Sequence, residues 1–181
     1  MEKPVTALSS CGYHIRRAVL EDKDTILNIM NISWNALTDK SLFIPDAPAF
    51  VERILTHDGF GLLALDFTGT PAAYLLVLYP GLLADNLGRD LCFHREQLLQ
   101  TAHLESLAVL PAHRGHHLQQ SLINCALLQV GTSHSYCMAT VSPQNIPSLK
   151  GFQACGFQIQ AKKEKYGGYM RYILLKSLKQ Q

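Results

Sequence analysis

Leu104–Gln120, LESLAVLPAHRGHHLQQ, reads as an apolar strand that runs through Pro111 into a short basic loop and then opens a helix. Helical spacing of Leu118, Leu122, Ala126 and Val130, with Gln119, Gln120 and Asn124 turned elsewhere, predicts an amphipathic helix over Leu118–Val130. A strand, a tight turn and a helix start make an anion site. The first amides of a helix lack partners within it, and its aligned dipoles leave partial positive charge there. Arg114 adds a fixed cation, and Gly115 lets the backbone approach a ligand closely. No Gly-Lys-Ser/Thr follows, so this is not a Walker loop, and no Gly-x-Gly-x-x-Gly dinucleotide fingerprint is present.

Working outward, residues Met1–Cys11 read as a loose lead-in and 12–181 as one domain. Tyr13–Ala18 alternates as a first strand. Leu20–Leu37 carries Ile26, Leu27, Ile29, Met30 and Trp34 at helical spacing behind acidic Glu21, Asp22 and Asp24, which suit a helix start. After Pro45 and Pro48, Ala49–Thr56 predicts a shorter helix with Phe50, Ile54 and Leu55 inward, and Trp34 and Phe43 read as core residues. Phe60–Phe67 and Ala72–Tyr79 form a hairpin around Thr68-Gly69-Thr70-Pro71.

Residues 81–101 are longer than a hairpin link requires and include a short helix over His94–Gln100. Two readings stand for this insert: an acceptor-selecting loop carrying Asp85, Asp90 and Glu96, or a solvated excursion. His103–Leu110 is then the fourth strand and Ser135–Val141 the fifth. Asn145 caps a helix that stops at Gly156, and Phe157–Lys162 and Met170–Lys176 close the chain as strands around Tyr166-Gly167-Gly168-Tyr169.

Composition excludes several classes. Hydrophobic residues at 48% and charged residues at 17% describe a folded chain rather than a disordered one. A formal net charge of +2 without a Lys/Arg run gives no footprint for nucleic acid. The five cysteines are odd in number and lack Cys-x-x-Cys spacing, which suits reduced thiols in the cytoplasm. No apolar run is long enough to span a membrane, and the start lacks a signal-peptide layout. A zinc site at His113-x-x-His116-His117 fits poorly, because a loop wrapped round an anion turns its amides, not ligands, inward.

Two ordered motifs carry a family resemblance. The first is Leu107-Ala108-Val109-Leu110-Pro111 followed by Arg114-Gly115-His116-His117-Leu118-Gln119. The second is Asn145-Ile-Pro-Ser148-Leu149-Lys-Gly-Phe152-Gln-Ala-Cys-Gly156-Phe157. Together they resemble the GCN5-related N-acetyltransferase (GNAT) superfamily, with its Arg/Gln-x-x-Gly-x-Gly/Ala diphosphate loop and its Asn-x-x-Ala-x-x-x-Tyr-x-x-x-Gly-Phe helix. His117 stands where the loop's first Gly belongs, Gln119 where its last Gly or Ala belongs, and Phe152 where the family places a Tyr.

The resemblance implies an α/β fold: a mixed, mostly antiparallel sheet of about seven strands flanked by about four helices, splayed between strands 4 and 5. It also implies transfer of an acetyl group from acetyl-CoA to a primary amine, on a small molecule or an exposed peptide, by direct attack in a ternary complex and without a metal. On this resemblance Leu107, Ala108 and Val109 face the pantetheine arm. Arg114, Gly115, His116, His117, Leu118, Gln119 and Gln120 take the diphosphate, and Asn145 and Phe152 lie at the coenzyme's other side.

Protonated His113, His116 or His117 would also pair with phosphate, raising coenzyme affinity below about pH 6.5. Glu105 is the candidate base, with His103 and the acidic groups of the insert as rivals; a structural ion pair is its other reading. With Phe152 unable to donate a proton, either the thiolate leaves without direct protonation or Ser148, Cys155, water or a tyrosine from Tyr166–Tyr172 replaces the usual acid. The same departures motivate a second reading, a CoA-binding sensor without efficient transfer. A homodimer through the late strands is compatible with either.

Overall fold

The computed structural model describes residues 7–8 and 12–178. The expected lead-in, Met1–Cys11, lies outside the described residues except for Ala7–Leu8, a two-residue strand, β1, that pairs with β2 (His14–Ala18) at the sheet edge. The other strands are β3 (Gly59–Leu65), β4 (Pro71–Leu78), β5 (Thr101–Val109), β6 (Tyr136–Val141), β7 (Gln158–Lys165) and β8 (Tyr169–Ser177). They form one sheet in the order β1-β2-β3-β4-β5-β6-β8-β7. All pairings are antiparallel except β5 with β6. The seven expected strands are all present, and β5 and β6 are the expected fourth and fifth.

Helices cover both faces, so β3 and β4 are buried on both sides and read as continuous apolar runs. On one face α4 (Leu118–Val130) and α5 (Ile146–Ala154) pack Leu118, Leu122, Ile123, Ala126 and Phe152 against Ile15, Leu62, Leu75 and Val77. On the other, α1 (Lys23–Asn35) and α2 (Pro48–Arg53) pack Ile26, Ile29, Met30, Val51 and the following Ile54 against Leu63, Tyr74, Leu76 and Leu78. Burying each such side chain contributes about 1.5–3 kcal/mol, so the sheet is fixed from both sides.

Three differences from the expected helices have local causes. The predicted helix at Leu20 begins as a 3-10 turn, Leu20–Asp22, because Asp22 turns back to accept the Val19 amide and a two-pronged contact from Arg16 at 2.6 and 2.8 Å. The second helix gives way to a π turn over Ile54–Asp58, where the Thr56 hydroxyl donates to the Glu52 carbonyl. That turn rotates the buried face onto Val51 and Ile54, leaving Phe50 and Leu55 partly exposed. Trp34 is also only half-buried, stacked under the Lys40 ammonium rather than set in the core.

The 81–101 insert is anchored at its middle, with Asn86, Leu87 and Gly88 buried, while residues 82–85 and 94–96 stay exposed to solvent. Asn86, 1% exposed, holds it by donating to the Gly81 and Leu98 carbonyls and accepting from the Gly88 amide. Leu87, Leu91 and Phe93 cover Met138 and Ile173, and a short helix α3 (Arg95–Leu99) leads into β5.

Candidate functional site

β5 carries two irregularities that together build a cleft. Its parallel pairing with β6 spans only Thr101, Ala102 and His103, opposite Tyr136, Cys137 and Met138. Beyond His103 no pairing with β6 is recorded, so the edge from Leu104 to Val109 faces the gap, where its polar groups need a partner.

On the opposite edge, Ser106 pairs with Leu76 and Leu104 with Val77, leaving Glu105 as the extra residue of a β-bulge. The bulge shifts the alternation of side chains by one. Leu104 and Leu107 both pack toward α4, while Ser106 bonds Tyr74 on the α1 side at 2.7 Å. Glu105 is thereby re-aimed into a pocket on the α1 side.

The gap continues into a cavity of about 590 Å³. Its walls include Leu107, Ala108, Val109, Arg114, Gly115, His117, Leu118, Gln119, Gln120 and Asn145, ten of the residues singled out in the sequence. His116 and Phe152 are not among its lining residues. His116 lies beside Tyr13 with ring centroids 5.7 Å apart, and Phe152, 5% exposed, packs edge-on against Phe157 in the core. The placement of Phe152 in contact with a ligand is therefore corrected: its ring is consumed by the hydrophobic core.

The loop before α4 is set by backbone conformation. Gly115 has φ +83°, and His117, immediately before the helix, has φ +57°. The structure puts His117 in the left-handed region that favours the glycine it replaces. His117 has no capping hydrogen bond from its side chain, so the first-turn amides of α4 stay available.

Among the described residues the Arg114 guanidinium makes no hydrogen bond or ion pair, leaving a free cation at the helix start. His113 is engaged, with Nδ1 2.9 Å from the Tyr13 hydroxyl, and His116 Nδ1 sits 3.3 Å from the His113 carbonyl. The three histidines do not converge as metal ligands would.

Left-handed backbone costs a non-glycine residue roughly 1–2 kcal/mol, partly offset by glycine's larger freedom when unfolded. His117→Gly is thus expected to raise the thermal midpoint by about 1–4 °C. A lower midpoint in a thermal melt would show that His117 side-chain contacts outweigh the strain.

Gln119 meets the missing Cβ of Gly151. Its amide donates to the Ser148 carbonyl at 3.0 Å, tying α4 to α5, and a Cβ on residue 151 would stand 2.6 Å from it. Asn145 caps α5 as expected, accepting from the Ser148 amide.

A smaller pocket of about 110 Å³ shares the walls Leu42 and Phe43 with the large cavity and adds Ile44, Asp46, Glu105, Thr140, Ser142, Tyr166 and Arg171. Phe43, expected in the core, is only partly buried and lines both cavities. Asp46 is a carboxylate the sequence reading missed. Burial, and next the negative charge of Glu105, push its pKa up to about 7, against a weaker pull from the Ser106 hydroxyl. Its Oδ2 is buried without a hydrogen-bond partner.

Tyr166, held at φ +54°, puts its hydroxyl 2.9 Å from the Thr140 hydroxyl, and burial raises its phenol to about 12. His103, the rival base, is 3% exposed and accepts the Leu87 amide at Nε2. Its Nδ1 therefore carries the proton in the neutral form and faces Glu105 at 3.5 Å, a positioning role. No residue of the insert lines either cavity; Asp90 is occupied by Lys163 and Lys165, and Glu96 by His94. The acceptor-selecting reading of that insert is corrected accordingly.

The architecture is shared with solved proteins. An acetyltransferase of the GNAT family from Streptococcus pneumoniae superposes with a TM-score of 0.68 at 18% identity, covering 92% of this chain and 99% of that one. A putative acetyltransferase from Salmonella typhimurium, solved with its cofactor acetyl-CoA, gives 0.67 at 18% identity, covering 94% and 96%. The ribosomal-protein-S5-alanine acetyltransferase from Vibrio fischeri gives 0.69 at 14% identity, covering 96% and 97%. No curated protein matches the sequence. A family model described as acetyltransferase (GNAT) family matches residues 26–157, from within α1 to just past the capped α5. With that match across most of the chain and the splayed strands beneath it, the protein belongs to the GNAT acetyltransferase family.

Proposed function

We propose that the protein transfers the acetyl group of acetyl-CoA to a primary amine by direct attack in a ternary complex. The observation that carries this reading is the junction of two cavities: a long cleft along the unpaired edge of β5, opening beside a small pocket that contains two carboxylates. The cleft suits the coenzyme. Backbone groups of Leu107 and Val109, on the edge of β5 not paired with β6, match an amide-bearing arm, with the Val109 carbonyl also accepting from the Ser33 hydroxyl at 3.4 Å. The amides from Gly115 to Gln120 with Arg114 match a diphosphate. When bound, the coenzyme supplies an acetyl thioester, whose C–S bond breaks as the C–N bond to the amine forms.

In this reading Glu105 takes the proton that the attacking amine sheds. Asp46, with its proton affinity near neutrality, helps hold the amine and receive that proton. The Tyr166 hydroxyl, protonated at neutral pH, donates a hydrogen bond to the departing sulfur in place of the tyrosine absent at Phe152. The small volume of the pocket favours a small-molecule amine over a peptide. A cytoplasmic setting suits the four described cysteines, all free thiols, three of them buried.

Calorimetric titration with acetyl-CoA and with CoA tests the cleft. Micromolar binding that weakens about tenfold in Arg114→Ala is expected, the loss of one charge-assisted contact. No binding by the wild type would end the coenzyme reading. Binding without acetyl transfer to any amine would favour a CoA sensor instead.

A further inference from the structure

The small pocket has unsatisfied groups of both signs. Asp46 Oδ2 is buried without a partner and lies in the field of a second carboxylate, Glu105. Such a group calls for a positively charged donor. Arg171, 4% exposed, is the opposite case. Its Nη1 donates to the Met170 carbonyl and its Nη2 to the Ser41 carbonyl, while Tyr166 and Tyr169 flank the guanidinium at 5.8 and 5.4 Å. Among the described residues it makes no ion pair. A guanidinium has five N–H donors, so two backbone carbonyls leave most of its fork unused.

A buried cation in a pocket wall is costly unless an anion meets it, and a planar fork matches a carboxylate in particular. Both demands are met by one molecule. We propose that this pocket takes a small zwitterion, an amino acid whose primary ammonium lies against Asp46 and Glu105 and whose carboxylate lies on Arg171. The inference rests on the acetyl-transfer reading for the fate of the amine, but the recognition itself is a matter of charge and shape. A simple alkylamine would leave Arg171 unpaired, and a polyamine would bring positive charge against it.

The test separates recognition from transfer. Protein saturated with CoA is titrated calorimetrically with α-, β- and γ-amino acids, and with the carboxamide and the decarboxylated amine of each one that binds. At least one amino acid should bind about 10- to 100-fold more tightly than both of its counterparts, the range set by a charge-assisted two-pronged contact.

Arg171→Gln should erase that preference, and Arg171→Lys should retain part of it, with CoA affinity unchanged in both and the amino acid weakened far more than its carboxamide or plain amine. Asp46→Asn should weaken amino acid and plain amine alike. The inference is overturned if no amino acid binds, if a carboxamide or plain amine binds as well, or if the Arg171 variants weaken both classes equally. Mass analysis after adding acetyl-CoA judges the other reading. A preferred amino acid that binds as described yet never gains an acetyl group would sink the transfer reading and leave the pocket's specificity standing.

Discussion

Glu105→Gln is expected to lower kcat by about 100- to 10,000-fold, the usual range for removing a positioned base, while acetyl-CoA binds as in the wild type. The size of the effect follows from geometry. Glu105 is the bulged residue of β5, turned away from the open edge on which Leu107 and Val109 lie and into the small pocket. Glutamine preserves the bulge, the shape of the pocket wall and a hydrogen-bond acceptor, but it cannot accept a proton. Stopped assays of acetyl transfer, paired with coenzyme titration, decide the matter. A variant that retains more than about a tenth of wild-type kcat would return Glu105 to the role of a structural carboxylate facing His103.

Asp46→Asn is expected to act in opposite directions on stability and on activity. A carboxyl near 3.8 in the unfolded chain and pushed up to about 7 when folded binds more protons folded than unfolded between those values. Stability therefore falls as pH rises from about 4 to about 7 and stays reduced above that. Removing the ionisable group abolishes the loss. At pH 8 the variant should be more stable than the wild type by up to about 4 kcal/mol, a rise in thermal midpoint on the order of 10 °C, with little difference at pH 4.

Its activity should drop, and the increase of kcat/KM through neutrality expected of the wild type should flatten. Melts at pH 4 and pH 8 beside a pH–rate profile would check both arms. Equal midpoints at pH 8 would mean that Asp46 is not held at raised affinity for protons.

What could be read beforehand was local. Helix α4 has its expected limits because Leu118, Leu122, Ala126 and Val130 repeat at one period and Gly131 follows directly. Asn145 was legible as a cap because the bond it makes is only three residues long. The small pocket was not legible. Asp46, Glu105, Tyr166 and Arg171 come from a proline-flanked loop, a bulged strand, a glycine turn and the last strand. No period within any one segment records that they meet.

A one-residue bulge leaves no mark in an alternating pattern, and the positive φ of His117 and Tyr166 is set by the turns around them. The insert had a readable clue that its length obscured: Leu87, Leu91 and Phe93 are apolar residues that need a surface to cover. The missed signal at Asp46 was a single carboxylate among Phe43, Ile44 and two prolines, an apolar setting for a charge.

The short pairing of β5 with β6 also has a mechanical meaning. Every other principal strand junction is laced along most of its length, whereas this one is fastened at a single end, where Gln100 accepts the amides of Ser135 and Tyr136 and three residue pairs follow. The molecule is therefore two stiff plates, β1–β5 and β6–β8, joined at the base of a wedge. The ladder is weakest along that one line, and what holds its two sides together is the helix layer: α4 and α5, tied by Gln119, share one apolar core with Leu62 and Leu75 on one side and Ala139, Val141 and Leu174 on the other.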